Sequence, residues 1–175
     1  MAGEAPSVHE RTLTAPPCQG VSLRDAWTEF LKKWEWEQFG TFTFREEPGH
    51  PEVADKLYRV LVSKVNRELY GPRWHKKGLG ITWTLAVERQ QRGTVHFHTL
   101  WGLTGPMVQA KEFRFQAMDW WNELAGFARI YPIENENAVR GYVSKYVVKG
   151  GELTLGGPLG EGQSSQVEIP LGGHT

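Results

Sequence analysis

Residues 81–101 constrain the fold most, because two runs of alternating residues are separated there by one polar turn. In "ITWTLAVE", Ile81, Trp83, Leu85 and Val87 oppose Thr82, Thr84, Ala86 and Glu88. In "TVHFHTLWG", Val95, Phe97, Thr99 and Trp101 oppose His96, His98 and Leu100. A period of two marks strands with unlike faces, and "RQQRGT" between them closes an antiparallel hairpin. Pairing about that turn sets Glu88 opposite His96 and Ala86 opposite His98. The face with Trp83, Leu85, Val87, Phe97 and Trp101 can bury against helices, and the other carries Thr, Glu and His. Two imidazoles about 7 Å apart on one face, with a carboxylate beside them, suit a divalent metal with open coordination positions. Taken alone, the pattern also fits two surface histidines and a Glu88 paired with Arg89 or Arg92.

The rest of the chain supplies the helices. Ser22 is an N-cap for a run in which Leu23, Ala26, Trp27, Phe30, Leu31 and Trp34 recur at helical spacing. "FGTFTF" (residues 39–44) reads as a strand, residues 52–69 as a helix and "GPRWHKKG" as a basic loop. A helix over residues 109–124, a strand "ARIYPIE" and a helix over residues 137–149 follow. Helices that separate strands, with one clear hairpin, predict an α+β fold on a central antiparallel sheet. Residues 1–20 read as a flexible Pro-rich leader, 21–150 as one domain and 151–175 as a Gly-rich tail or linker.

Charge and cysteine content narrow the classes. Lys+Arg 20 against Asp+Glu 20 leaves no net charge, so any nucleic-acid contact must come from local patches. Arg73, His75, Lys76 and Lys77 form one such cluster, and Arg45, Arg89, Arg92 and Arg140 flank the other segments of interest. Trp74 in that loop and Trp120 and Trp121 in the third helix are candidates for base stacking, although Trp121 falls at core spacing with Phe113, Ala117 and Leu124. The single Cys18 excludes an internal disulfide and a cysteine-rich zinc site. No apolar run reaches the ~18 residues of a membrane span, so a soluble, intracellular protein is expected.

The fourth helix carries a second constellation, "VRGYVSKYVVKG". At about 100° per residue, Tyr142, Lys145, Tyr146 and Lys149 share one arc of about 100°, beside a stripe of Val139, Val143 and Val147. Valines anchor such a helix and the Tyr/Lys arc faces something polar. A phenolate beside ammonium groups is a nucleophile whose ionised form the positive charge favours.

Taken in order, these segments resemble the HUH endonuclease superfamily, in particular rolling-circle replication initiators. "FGTFTF" is similar to that family's first motif and "HFH" (His96-Phe97-His98) to its His-hydrophobic-His motif, with Glu88 as third ligand. "YVSKYVVK" matches Tyr-x-x-Lys twice, at Tyr142/Lys145 and Tyr146/Lys149, similar to initiators that use two tyrosines. The resemblance covers roughly residues 38–150. It implies an antiparallel sheet of about five strands with flanking helices, and Mn²⁺ or Mg²⁺ held by Glu88, His96 and His98. It also implies nicking and joining of single-stranded DNA at a replication origin through a 5′-phosphotyrosine. Arg73, Lys76, Lys77, Arg89, Arg92 and Arg140 would contact DNA, and a host helicase and polymerase would act with the protein in a prokaryotic cytoplasm. Either both tyrosines alternate, or Tyr146 acts alone with Lys149 balancing the phosphate charge and Lys145 assisting Tyr142. A single-strand transposase, a relaxase, a non-catalytic nucleic-acid-binding module and a 2-His-1-carboxylate iron oxygenase are the alternatives.

Overall fold

Alternation and turn fold as expected into a hairpin. The computed structural model describes residues 11–14, 22–89, 94–102, 110–135, 137–147 and 152–158. Strand β1 (Arg11–Thr14) precedes α1 (Leu23–Leu31), β2 (Gln38–Phe44), α2 (Pro51–Tyr70), β3 (Thr82–Arg89) and β4 (Val95–Gly102). Then come α3 (Ala110–Leu124), β5 (Gly126–Pro132), α4 (Asn137–Tyr142) and β6 (Glu152–Gly156). The strands form one sheet in the order β1-β6-β3-β4-β2-β5, every pair antiparallel. This is the α+β fold read from the sequence, with the short β1 added at one edge.

Two stretches differ from the expected boundaries. Arg11–Thr14, placed in the leader, and Glu152–Gly156, placed in the tail, pair with each other, and β6 also pairs with β3. Leu153 and Leu155 are buried, which explains why the second stretch joins the sheet. Cys18, Arg92, Lys149 and the rest of the leader and tail lie outside the described residues.

Local chemistry sets the helix ends. The Ser22 side chain accepts from Asp25 N–H at the start of α1. In α2 the His50 side chain accepts from Glu52 N–H, Pro51 occupies the first turn, and Gly71 at φ 86° ends the helix. The inward residues Ala54, Tyr58, Leu61, Val62 and Val65 of α2 pack with Phe42, Phe97, Trp101 and Trp121 against one sheet face. Gly40 belongs to this packing: a Cβ there would lie 2.7 Å from the Phe42 ring and 2.8 Å from the Thr99 methyl.

The polar face is not left bare, as the sequence pattern alone implied. α1 and the fourth helix cover part of it with a second core of Trp27, Leu31, Trp34, Val139, Val143 and Val147 against Leu100, Leu153 and Leu155. That fourth helix is not uniform, because after Tyr142 it winds as a π-helix over Val143–Val147.

The hairpin also holds an irregularity. Pairing runs through Thr82–Gly102 and Trp83–Trp101 and resumes at Ala86–His98. Between them, Thr99 Oγ1 donates to the Thr84 carbonyl, and Leu100 N–H donates to Thr84 Oγ1 over 2.9 Å. Two threonine hydroxyls therefore replace ladder bonds at the point where the histidine segment begins.

Candidate active site

Strand register builds the site in rows. His96 lies between Glu88 on β3 and Thr43 on β2, and His98 between Ala86 and Thr41. Each imidazole is held by a threonine: His96 Nδ1 is 3.1 Å from Thr43 Oγ1, and His98 Nδ1 is 3.2 Å from Thr41 Oγ1. The small Ala86 lets His98 turn toward the next row, where its Nε2 lies 2.8 Å from Glu88 Oε2. His98 is 4% exposed, and burial first, then the charges of His96 and Lys145, hold its pKa below the usual range against the opposing Glu88 contact. A neutral His98 can place its proton on either ring nitrogen. With Nε2–H donating to Glu88, Nδ1 accepts from Thr41. With the proton on Nδ1, the threonine hydroxyl accepts instead and frees the Nε2 lone pair.

The donor chemistry therefore fits a divalent cation: two threonine-oriented imidazoles with Nε2 unclaimed by threonine, beside a half-buried carboxylate. The geometry is only partly assembled. Glu88 and His98 are in contact, but among the described residues no three His, Cys, Asp or Glu side chains converge as a metal cage.

The two tyrosines of the fourth helix have different surroundings. Tyr146 is half-buried, and its ring stacks on His98 with centroids 3.6 Å apart and planes 17° from parallel. Phe39 lies parallel beside both rings, 5.9 Å from Tyr146 and 6.2 Å from His98. The Lys145 ammonium is 5.1 Å from the centre of the Tyr146 ring. The Tyr146 phenol oxygen, as hydrogen-bond partner and as charge, followed by the Glu88 carboxylate, raises the Lys145 pKa. Lys145, expected to assist Tyr142, thus lies with Tyr146. The reason is the π-helical winding, in which each residue turns through less than about 100°.

Tyr142 is buried. Its hydroxyl accepts from Thr84 Oγ1 and donates to the His98 carbonyl, both at 3.0 Å, and burial pushes its pKa far above the usual value. It ends a hydrogen-bonded chain through the sheet. On the other face, Trp101 Nε1 donates to Tyr58 Oη, which bonds Thr99, which donates to the Thr84 carbonyl.

A rolling-circle Rep family matches this arrangement. The model of a family of replication-associated proteins of the ORF2 type matches residues 37–151, from β2 to just before β6. The chain belongs to this family. Its replication-associated domain thus holds the whole histidine, glutamate and tyrosine constellation, in agreement with the resemblance to HUH initiators. No curated protein and no solved structure matches the chain. Among the described residues, no helix is long and apolar enough to cross a membrane.

The basic residues of the replication-associated domain are scattered. Arg73, Lys76 and Lys77 are exposed around a 3₁₀ turn at Trp74–Lys77, which leads into the Thr82 end of β3. Glu88 is six residues along that strand, so the loop is about 20 Å from the histidines. Arg89 is exposed next to Glu88, whereas Arg140 pairs with Asp25 at 3.2 Å and ties α4 to α1. Trp121 is fully buried, and Trp120 sits under the Lys64 ammonium at 4.7 Å. Sequence reasoning did not assign roles to Phe39, Thr41, Thr43 or Thr84. The signal for the first three was present, since alternation in "FGTFTF" puts them on one face of the strand.

Proposed function

We propose that this domain nicks and rejoins single-stranded DNA to initiate rolling-circle replication, with Tyr146 as nucleophile. The observation that carries the reading is the stack of Tyr146 on His98, with Lys145 over the same ring and Glu88 on the far nitrogen of that imidazole. Glu88, His96 and His98 would hold Mn²⁺ or Mg²⁺, which when bound supplies charge stabilisation to the scissile phosphate. Tyr146 Oη attacks the phosphorus, the bond to the 3′ oxygen breaks, and the phenol's proton ends on the freed 3′-hydroxyl. The products are a 5′-phosphotyrosyl ester and a primer end, and reversal reseals the strand without ATP. Lys145 favours the phenolate and offsets phosphate charge. His98 fixes the ring plane of Tyr146.

Tyr142 serves as an anchor in this reading. To act as a second nucleophile it would have to leave two buried hydrogen bonds and deprotonate in an apolar core. The test is incubation with a pool of single-stranded oligonucleotides and Mn²⁺, followed by denaturing electrophoresis and peptide mapping of the adduct. A covalent adduct on Tyr146 is expected. An adduct on Tyr142, or cleavage without any adduct, overturns the assignment.

A further inference from the structure

The face that carries the histidines continues past β2 onto β5, and there it is uncovered. The register places three rows across the sheet: His96–Thr43–Phe127, His98–Thr41–Arg129 and Leu100–Phe39–Tyr131. Neighbouring strands are about 4.8 Å apart, so Arg129 lies about 10 Å from His98 on the same face. Phe127 is 56% exposed and Tyr131 50% exposed, among the most exposed large apolar side chains described. The Arg129 guanidinium lies between them, 5.4 Å from the centre of the Phe127 ring and 3.2 Å from the Tyr131 hydroxyl. Such aromatic exposure on a strand at the sheet margin lacks a packing explanation, because the apolar residues of β5 that build the core are Ala128 and Ile130.

We propose that Phe127, Arg129 and Tyr131 form a stacking ladder for the bases of single-stranded DNA beside the Tyr146 site. The choice of ligand rests on the nicking reading above. Side chains two residues apart on a strand are about 7 Å apart. That is about twice the 3.4 Å rise per nucleotide along one strand of a duplex, so the rungs fit bases already spread apart. Aromatic faces accept any base, and an arginine plane both stacks on a base and neutralises a phosphate. A duplex keeps its base faces inside and cannot use such rungs. Beyond the ladder, a groove of about 500 Å³ between β5 and α3 offers a second arginine–aromatic pair, with Arg114 4.8 Å over Phe115, and one carboxylate, Asp119.

The test compares labelled oligothymidylate with an abasic polymer of equal length and equal phosphate count, titrated with chelator present so that nothing is cleaved. The wild-type chain should prefer oligothymidylate by about tenfold or more, and Phe127→Ala/Tyr131→Ala should abolish that preference while leaving abasic binding unchanged. Arg129→Ala should weaken both polymers and reduce the salt slope by about one. Phe127→Tyr/Tyr131→Phe should retain the preference, and unchanged thermal unfolding of each variant guards against misfolding. Equal binding of both polymers by the wild type overturns the ladder, as does full preference in the double alanine variant. Sedimentation showing a wild-type dimer that the alanine variant cannot form would overturn it too, by assigning the surface to a second copy. Failure of the nicking reading is separate: adduct would be missing even where the base preference persists.

Discussion

The two faces of the sheet are built from the same strands and end in different states. Toward α2 and α3, Phe42, Tyr58, Trp101 and Trp121 are fully buried and meet mostly edge to face, so the face is closed. Toward α1 and the fourth helix, cover extends over β6, β3 and part of β4, then stops. His98 lies at that margin, buried under Tyr146, while Phe127 and Tyr131 beyond it are exposed. The comparison teaches that reactive groups collect where apolar cover ends, because there burial tunes a group and an open side still admits substrate. The tyrosine helix repeats the contrast within one turn: Tyr142 belongs to the covered half and Tyr146 to the margin.

The sharpest way to break this comparison is to exchange the tyrosines' hydroxyls for hydrogen. Tyr146→Phe should lower adduct formation by at least about a thousandfold with little change in unfolding temperature, as expected when an attacking group is removed. A stable variant that still forms adduct would end the distinction between margin and cover. Metal removal is expected to act next most strongly. Chelator should suppress adduct by orders of magnitude and His98→Ala should not recover at high Mn²⁺, while Glu88→Ala should recover in part, read by the same gel. Full activity of stripped protein would separate the histidine row from the chemistry.

Tyr142→Phe sharpens the covered side. It strands Thr84 Oγ1 and the His98 carbonyl, so stability should fall by about 1–3 kcal/mol in denaturant unfolding, with adduct still mapped to Tyr146. The smallest effect concerns pH. Burial raises the pKa of both Tyr58 and Tyr142, so above about pH 10 the unfolded chain releases protons that the folded chain keeps. Stability should therefore fall as pH rises past about 10, with each buried tyrosine contributing a slope of up to about 1.4 kcal/mol per pH unit. Tyr142→Phe should remove one such contribution, measured by urea unfolding across alkaline pH.

Much of this was legible before any coordinates, and for local reasons. The hairpin register with Glu88 opposite His96 followed from alternation and one turn, and the Ser22 cap from side-chain chemistry at a helix start. The pairing of Arg11–Thr14 with Glu152–Gly156 was not legible, since it joins opposite ends of the chain and no local period encodes a partner. The fates of the tyrosines were hidden for a related reason. A wheel drawn at α-helical pitch puts Tyr142 and Tyr146 on one arc, but π-helical winding and a distant partner, Thr84, decide which one is buried. The basic loop at Trp74–Lys77 was identifiable by charge, whereas its separation from the histidines follows only from the direction of β3.

Strand β5 has a partner on one side alone, since β2 is its only neighbour in the sheet order among the described residues. Seven residues of open edge, flanked by exposed rings, would ordinarily invite another copy to add a strand and begin an aggregate. Arg129 stands at the middle of that edge, so a strand docking flush would have to strip water from a guanidinium with no carboxylate waiting for it. The same residue that gives the ladder its charge thus acts as a gatekeeper, keeping an adhesive surface available to a polyanion and closed to its own kind.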